Sequence, residues 1–260
     1  MNQKNNYILT TSLIGALLLS GLCSLAHASG TTSNRSGIRF GVSRAMPIAL
    51  VYQGPGACPE HCSDAAAEMA NLAGFETRFV GPNESNRHIF DDAAVWIQPG
   101  GVSVTAAQNM DPQLKKNLKA FVGNGGGYVG FCAGAFLATA KIGTSGVDGL
   151  GILPGGTELF PSHDEVLILP VTWNQKSRFV YWEGGPFFKV DASHPFEIIA
   201  TFADGTPAAV RATYKDGRVF VSGPHPEAPQ YWRDYFKLTD PDGLDSDLAS
   251  DMIVWAAGLR

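Results

Sequence analysis

The period of hydrophobic positions changes segment by segment along the chain, and the changes mark out its elements. Ile48-Ala49-Leu50-Val51-Tyr52 is an apolar run of strand length that ends at Gly54-Pro55-Gly56, which predicts a buried strand. Ser63 or Asp64 can cap a helix reaching about Leu72 and stopped by Gly74. Phe75 to Val80 alternates as a strand does, and Ala94-Val95-Trp96-Ile97 predicts another, broken at Pro99-Gly100-Gly101. Asp111-Pro112 joins an N-cap side chain to proline at the first helical position. Leu114, Leu118, Phe121 and Val122 then recur at helical spacing until Gly123. Tyr128-Val129-Gly130-Phe131 predicts a short strand, followed by a helix of small residues from Ala133 to Ala140. Strands alternating with helices imply an α/β protein with parallel strands and crossover helices.

The second half is denser in strands. Gly143 to Pro161 is rich in Gly and Thr and predicts loops. Val166 to Thr172, Arg178 to Trp182 and Phe196 to Phe202 predict strands, with turns at Asn174-Gln175 and Asp204-Gly205. Ala208 to Tyr214 and Arg218 to Ser222 predict a hairpin across Lys215-Asp216-Gly217. Asp245 to Leu259 predicts a helix, with Leu248, Met252 and Trp255 on one face. The expectation is a mostly parallel sheet flanked by helices, with an antiparallel β extension in the second half.

The 260 residues are 45% hydrophobic, enough to fill a sizeable core in one domain of this length. The formal net charge is -5, and no Lys/Arg cluster or basic helix face appears, which argues against a nucleic-acid partner.

The start of the chain reads as an export signal. Lys4 precedes an apolar stretch from Leu13 to Leu22, and Ala26-His27-Ala28 supplies the small-x-small ending of a cleavage site. Residues 1–28 are therefore expected to be removed, leaving a single domain over 29–260 with no membrane span. The competing reading is an uncleaved anchor, since Tyr7 to Ala26 carries no charge, but Thr10, Thr11, Ser12, Ser20 and Ser24 dilute it. Ser20-Gly21-Leu22 before Cys23 is a poor lipidation signal. The expected location is periplasmic or secreted.

Export changes how the remaining cysteines read. Cys58 and Cys62, four residues apart, are compatible with a small loop disulfide, which an oxidising compartment would permit. Two reduced thiols are the alternative. A metal site using His61 is a third, with ligands missing, and no metal is expected. His61, His88, His163 and His194 lack ligand spacing.

Two short motifs carry chemistry. Gly130-Phe131-Cys132-Ala133-Gly134 lies between a predicted strand and a predicted helix. Small flanking residues permit a tight strand-to-helix turn with the nucleophile at its tip, as in the G-x-S-x-G elbow. The helix that follows directs its N-terminus at the sulfur, favouring thiolate. The bland reading of Cys132 is a buried structural thiol. His225-Pro226-Glu227 follows the strand Val219-Phe220-Val221, past Gly223-Pro224. Both motifs fall after a strand, at the sheet edge where open α/β proteins place ligand sites. A histidine there can act as base and acid toward the thiol, and a carboxylate two residues on can fix its tautomer. Glu60 and His61 follow the first strand and border the same edge. Trp182, Phe187 and Phe188 are candidates for a substrate pocket, with ordinary core or rim packing as the alternative. The glycines at 123 and 125–127 precede a strand rather than follow one, so they read as a helix stop and not as a phosphate cradle.

The elbow at Cys132 with the downstream His225-Pro226-Glu227 resembles class I glutamine amidotransferases. Within that superfamily the chain is most similar to the group related to the N-terminal domain of biotin-protein ligases. The supporting stretches are 51–56, 98–101, 125–134, 182–188 and 223–227. The resemblance implies a flavodoxin-like sheet and a Cys-His-Glu triad, with Cys132 as nucleophile, His225 as base then acid, and Glu227 as the orienting carboxylate. It further implies an oxyanion hole from the N–H groups of Gly101 and Ala133, with Gly100 and Gly185 in the neighbouring substrate loops. No G-x-x-x-x-G-K-[ST] loop is present, nor a synthetase or biotin-ligase catalytic domain, and ATP is scarce outside the cytoplasm. The expectation is therefore a stand-alone cysteine hydrolase of an amide, peptide or related acyl compound, without cofactor or synthetase partner. The alternative is a catalytically inactive module binding a small ligand or partner.

Overall fold

The computed structural model describes residues 45–58, 61–160, 165–191, 193 and 195–259. The export signal at 1–28, Glu60, His163 and His194 lie outside the described residues. Those described fall within the unit Arg44–Arg260.

The elements in chain order are β1 (Ile48–Tyr52), α1 (Cys62–Leu72), β2 (Glu76–Val80), β3 (Ala93–Gln98), α2 (Ser103–Asn109), α3 (Pro112–Gly123), β4 (Gly127–Phe131) and α4 (Ala133–Ala138). Then come β5 (Gly156–Leu159), β6 (Leu167–Trp173), β7 (Lys176–Trp182), β8 (Pro186–Lys189), β9 (Glu197–Phe202), β10 (Pro207–Tyr214), β11 (Gly217–Ser222), α5 (Gln230–Phe236) and α6 (Ser246–Ala256). Nine strands form one sheet in the order β2-β1-β3-β4-β11-β10-β9-β6-β7. The first five run parallel, and β11, β10, β9, β6 and β7 pair antiparallel in succession. The parallel part has the 2-1-3-4-5 order of flavodoxin-like proteins. β5 and β8 form a separate antiparallel pair.

Strand alternation sorts the apolar residues onto the two faces. Ala49 and Val51 of β1 join Val95, Ile97, Val129 and Phe131 under α1 and α6, where Met69, Leu248, Met252 and Ile253 are buried. Ile48, Leu50 and Tyr52 face the other way, with Trp96 and Tyr128, under α2, α3 and α4. The parallel strands are covered on both faces, which is why they read as continuous apolar runs.

Several boundaries depart from the sequence pattern. α1 begins at Cys62 rather than after Ser63 or Asp64, because the Ser63 hydroxyl donates to the Tyr52 carbonyl at 2.8 Å instead of capping. His61 takes the N-cap position with φ 66°, and its side chain makes no cap bond. α3 starts as expected: the Asp111 carboxylate accepts from Gln113 and Leu114 N–H. α2 and α5 carry no polar cap; Val102 and Pro229 stand at their N-cap positions without a side-chain bond. β5 lies inside the stretch expected to be loop, and β8 follows the turn after β7.

Candidate active site

Parallel pairing sets Phe131, the last residue of β4, beside Ser222, the last of β11. The two sequence motifs begin at those neighbouring carboxyl ends. Cys132 N–H donates to the Ser222 carbonyl at 2.8 Å, which fastens the elbow to the next strand. Cys132 has φ 47° and ψ −101°, a strained backbone for a residue with a β-carbon. Its flanking glycines are required by contact. A β-carbon on Gly130 would lie 2.5 Å from the Gly134 carbonyl oxygen, and one on Gly134 would lie 2.3 Å from the Gln98 carbonyl oxygen. The Tyr128 hydroxyl donates to that Gly134 carbonyl at 2.8 Å from within the core. The helix behind the sulfur, α4, is only six residues long and ends at Ala138, not Ala140.

His225 is held by its main chain on both sides. Its N–H donates to the Tyr181 carbonyl at 2.8 Å, and its carbonyl accepts from Ala228 N–H at 3.1 Å. The imidazole Nδ1 is 2.8 Å from Glu227 Oε1. Both side chains are buried, at 3% and 0% exposure, and three groups wall the imidazole. The rings of Tyr181 and Trp232 each meet it edge-on at 5.8 Å between centroids, and Gly100 lies against Cε1. Nε2, the second ring nitrogen, has no hydrogen-bond partner among the described residues. With Nδ1 turned to the carboxylate, Nε2 is the nitrogen available to the sulfur. Burial alone would push the imidazole down, but the Glu227 charge and Cys132 outweigh it and hold His225 well above the ordinary histidine value.

The two N–H groups expected to bind an oxyanion are not engaged elsewhere. Gly101 N–H and Ala133 N–H have no acceptor among the described residues. Cys58 N–H donates to the Gly100 carbonyl at 3.2 Å and Val102 N–H to the Gly56 carbonyl at 2.8 Å. These bonds flank the Ala57/Gly101 pair, so as in any non-hydrogen-bonded antiparallel pair the Gly101 N–H turns away from its partner.

The remaining expected residues divide. Cys58 and Cys62 form a disulfide with Cα atoms 5.4 Å apart, and among the described residues Cys132 is the free cysteine, and it is buried. His61 stands exposed beside that bond, paired with Asp64 at 2.7 Å, on the rim of a cavity of about 300 Å³ also lined by Gln53, Ala57 and Ser63. Gly185 serves packing, since a β-carbon there would lie 2.0 Å from the Gly223 carbonyl oxygen. Trp182 takes the packing alternative. Its ring is fully buried in the core with Phe160 as an edge-on neighbour, because strand alternation along β7 sends Trp182 inward and Tyr181 to the site. Phe187 is half-buried and packs on that same core.

Sequence reasoning missed Tyr181, Trp232 and Glu183. The Glu183 carbonyl accepts from Cys132 Sγ at 3.5 Å, and the Glu183 carboxylate accepts from the Tyr181 hydroxyl at 3.0 Å. A main-chain acceptor leaves no signal in residue type, whereas the aromatic pair was visible as Tyr181 and Trp232 without any indication of which face they take. Arg233 is also buried, donating to Asp240 at 2.7 Å, to the Ala228 carbonyl at 2.7 Å and to Asp245 at 3.3 Å.

Comparison with known proteins agrees with this geometry. Residues 48–148 match the family model of the biotin-protein ligase N-terminal domain; the matched stretch contains the Cys132 elbow. Imidazole glycerol phosphate synthase subunit HisH of Microcystis aeruginosa is 28% identical over 149 residues, 52% of this chain and 70% of that protein. A solved glutamine amidotransferase superposes with a TM-score of 0.55 at 21% identity, covering 72% of this chain and 97% of the other. A candidate GMP synthase component from Thermoplasma acidophilum gives 0.52 at 13% identity, covering 83% and 98%.

The fold is similar to that of solved glutamine amidotransferases. Residues 48–148 carry the pattern of the biotin-protein ligase N-terminal domain.

Proposed function

We propose that this chain is an exported, stand-alone cysteine hydrolase of an amide, peptide or related acyl compound, with Cys132, His225 and Glu227 as its triad. The observation that carries the reading is the buried His225–Glu227 pair, whose uncommitted Nε2 lies at the strand end next to a nucleophile elbow. In the proposed reaction Cys132 Sγ attacks the carbonyl carbon and its proton resides on His225 Nε2. The tetrahedral oxyanion is bound by the N–H groups of Gly101 and Ala133, and loss of one such donor costs about 3 kcal/mol of barrier. Collapse breaks the C–N bond, and the leaving amine takes the proton from Nε2. Water then attacks the thioester, gives a proton to Nε2, and releases the carboxylic acid as the thiol is restored. Glu227 holds the Nδ1–H tautomer and stabilises the imidazolium throughout. No cofactor enters this scheme.

The test is release of amine or ammonia from a panel of primary amides, glutamine included, by the purified protein and by Cys132→Ala. Turnover that disappears in the variant supports the proposal, and equal background rates refute it. Export is proposed from the residue 1–28 pattern, with the Cys58–Cys62 bond as support, since such bonds persist in oxidising compartments. A mature protein whose mass begins at Ser29 is the expected result; a full-length mass contradicts it. Among the described residues no helix is long and apolar enough to cross a membrane.

A second reading is a catalytically quiet binding module. It draws on one contact, the Cys132 Sγ hydrogen bond to the Glu183 carbonyl, which engages the sulfur away from Nε2. A ligand-induced rise in melting temperature that survives Cys132→Ala, with no turnover in either protein, would favour it. The curated relative is itself named as a synthase subunit, so independence from a partner is part of the proposal and is tested by the same assay on the isolated chain.

A further inference from the structure

We infer that the Cys58–Cys62 disulfide is a positioning device for the oxyanion donor Gly101, so that acyl transfer at Cys132 depends on the oxidation state of a bond that takes no part in the chemistry. The inference rests on the nucleophile reading above.

The contacts run in one line from the disulfide to the reacting groups. Gly101 has φ 131°, and the space its β-carbon would fill is taken by the Gly56 carbonyl oxygen at 2.2 Å and the Cys58 nitrogen at 2.7 Å. The segment ending at Cys58 is thus pressed on the donor, and it is tied there by the two main-chain bonds that flank the Ala57/Gly101 pair. On the neighbouring residue, the space of a Gly100 β-carbon is shared by His225 Cε1 at 2.6 Å and Cys62 Sγ at 3.5 Å. Cys62 is itself rooted: it is buried in a cluster with Tyr181 and Trp232, the two rings that wall the imidazole. The next residue, Ser63, anchors the first turn of α1 to the end of β1 through its hydroxyl. The disulfide therefore joins the segment that sets Gly101 to the same cluster that sets His225. It fixes the oxyanion donor and the base in one frame.

Without the disulfide, the segment ending at Cys58 is held to the donor loop by those two main-chain bonds, of 3.2 and 2.8 Å, and loses its covalent tie to the cluster around Cys62. Gly101 is exposed and, as glycine, is free to leave its positive-φ conformation. Loss of frame reaches acyl transfer, where negative charge develops on oxygen, and spares displacement at an sp³ carbon, where none does. That contrast separates positioning from general loosening. Formation of the bond removes two protons and two electrons from the Cys58 and Cys62 thiols, and the acceptor is a disulfide oxidant, which is reduced to the dithiol.

The experiment compares two reactions at Cys132 in the mature protein, each measured against Cys132→Ala in the same state. One is acylation by p-nitrophenyl acetate, read as the nitrophenolate burst. The other is alkylation by iodoacetamide, located at Cys132 by peptide mapping. The forms compared are the oxidised protein, the phosphine-reduced protein, and Cys58→Ser with Cys62→Ser. Reduction or the double substitution is expected to slow acylation about tenfold or more while alkylation stays within about twofold. Reoxidation by a cyclic disulfide such as oxidised dithiothreitol is expected to restore acylation in the wild type and not in the double variant. Unchanged acylation on reduction overturns the inference, and so does an equal fall in both reactions, which would mean that the fold had loosened. If the oxidised wild type shows no burst above Cys132→Ala, the nucleophile reading itself fails, an outcome distinct from either of those.

Discussion

Gly100 and His225 share one volume: a β-carbon on Gly100 would lie 2.6 Å from Cε1 of the imidazole. The proposed base therefore rests on bare main chain from the loop that carries the proposed oxyanion donor, and the distance between those two groups is set by the absence of a side chain. Gly100→Ala is expected to displace the ring. Displacement of about 1 Å costs on the order of 100-fold in rate, while overpacking costs about 1–3 kcal/mol of stability. Amide turnover and a denaturant midpoint measured on the same preparation check this; turnover within twofold of wild type contradicts it.

The carboxylate of Glu227 acts on His225 through charge. Burial lowers the imidazole, and Glu227 with Cys132 reverses that and raises it. In Glu227→Gln the main raising group is gone, so an NMR titration of the His225 ring is expected to move to lower pH. The sign for stability follows. A raised histidine stabilises the fold in full below its unfolded value of about 6.5, and that contribution is lost as pH rises through the folded value. The stability gap between wild type and Glu227→Gln should thus be widest under mildly acidic conditions and narrow on the alkaline side. A gap that widens with pH contradicts the assignment.

Gly134→Ala tests the elbow. Its β-carbon would lie 2.3 Å from the Gln98 carbonyl oxygen and 2.9 Å from the Gln98 side chain, and the backbone on both sides is buried. Destabilisation of about 1–3 kcal/mol is expected, together with loss of selective Cys132 labelling as the sulfur leaves its strained position. Urea unfolding and peptide mapping read the two effects.

Arg233 links the segment after the triad to the C-terminal half of the chain. Its guanidinium is buried between Asp240, Asp245 and the Ala228 carbonyl, and Trp232 beside it packs on the base. Arg233→Met strands Asp240 and leaves Asp245 with Arg178 as its remaining partner, and a buried pair broken in this way costs about 3–5 kcal/mol. Burial already pushes Asp245 up to about 7 despite Arg178 and Arg233, so with one of those two cations gone its carboxyl is expected to bind a proton more readily. The loss measured by urea unfolding should be smaller at pH 5 than at pH 8.

The features legible in the sequence are those specified locally. Asp111-Pro112 fixed the start of α3 because cap and proline act within four residues, and the carboxylate does accept from Gln113 and Leu114. The G-x-C-x-G spacing was readable in part because Gly130 answers a contact within the turn, with the Gly134 carbonyl, although Gly134 answers Gln98 on β3; Glu227 was readable because it reaches His225 from two residues away. Distant partners hid the rest. Ser63 looked like a cap and is drawn instead to Tyr52. α2 and α5 have Val102 and Pro229 at their N-cap positions, which give no polar signal. On β7 the sequence offers two adjacent aromatics, and only the sheet decides that Trp182 enters the core while Tyr181 meets the base. The Glu183 carbonyl, which faces the sulfur, leaves no trace in residue type at all.

The most direct test of the triad is the rate at which iodoacetamide labels Cys132 in the unreduced mature protein between pH 5 and 9, with His225→Ala alongside. A sulfur activated by His225 is predicted to take a single label, rapidly even at about pH 6, with a fall of about tenfold or more in His225→Ala. Slow labelling at that pH, or labelling at equal rates in the two proteins, would contradict the account.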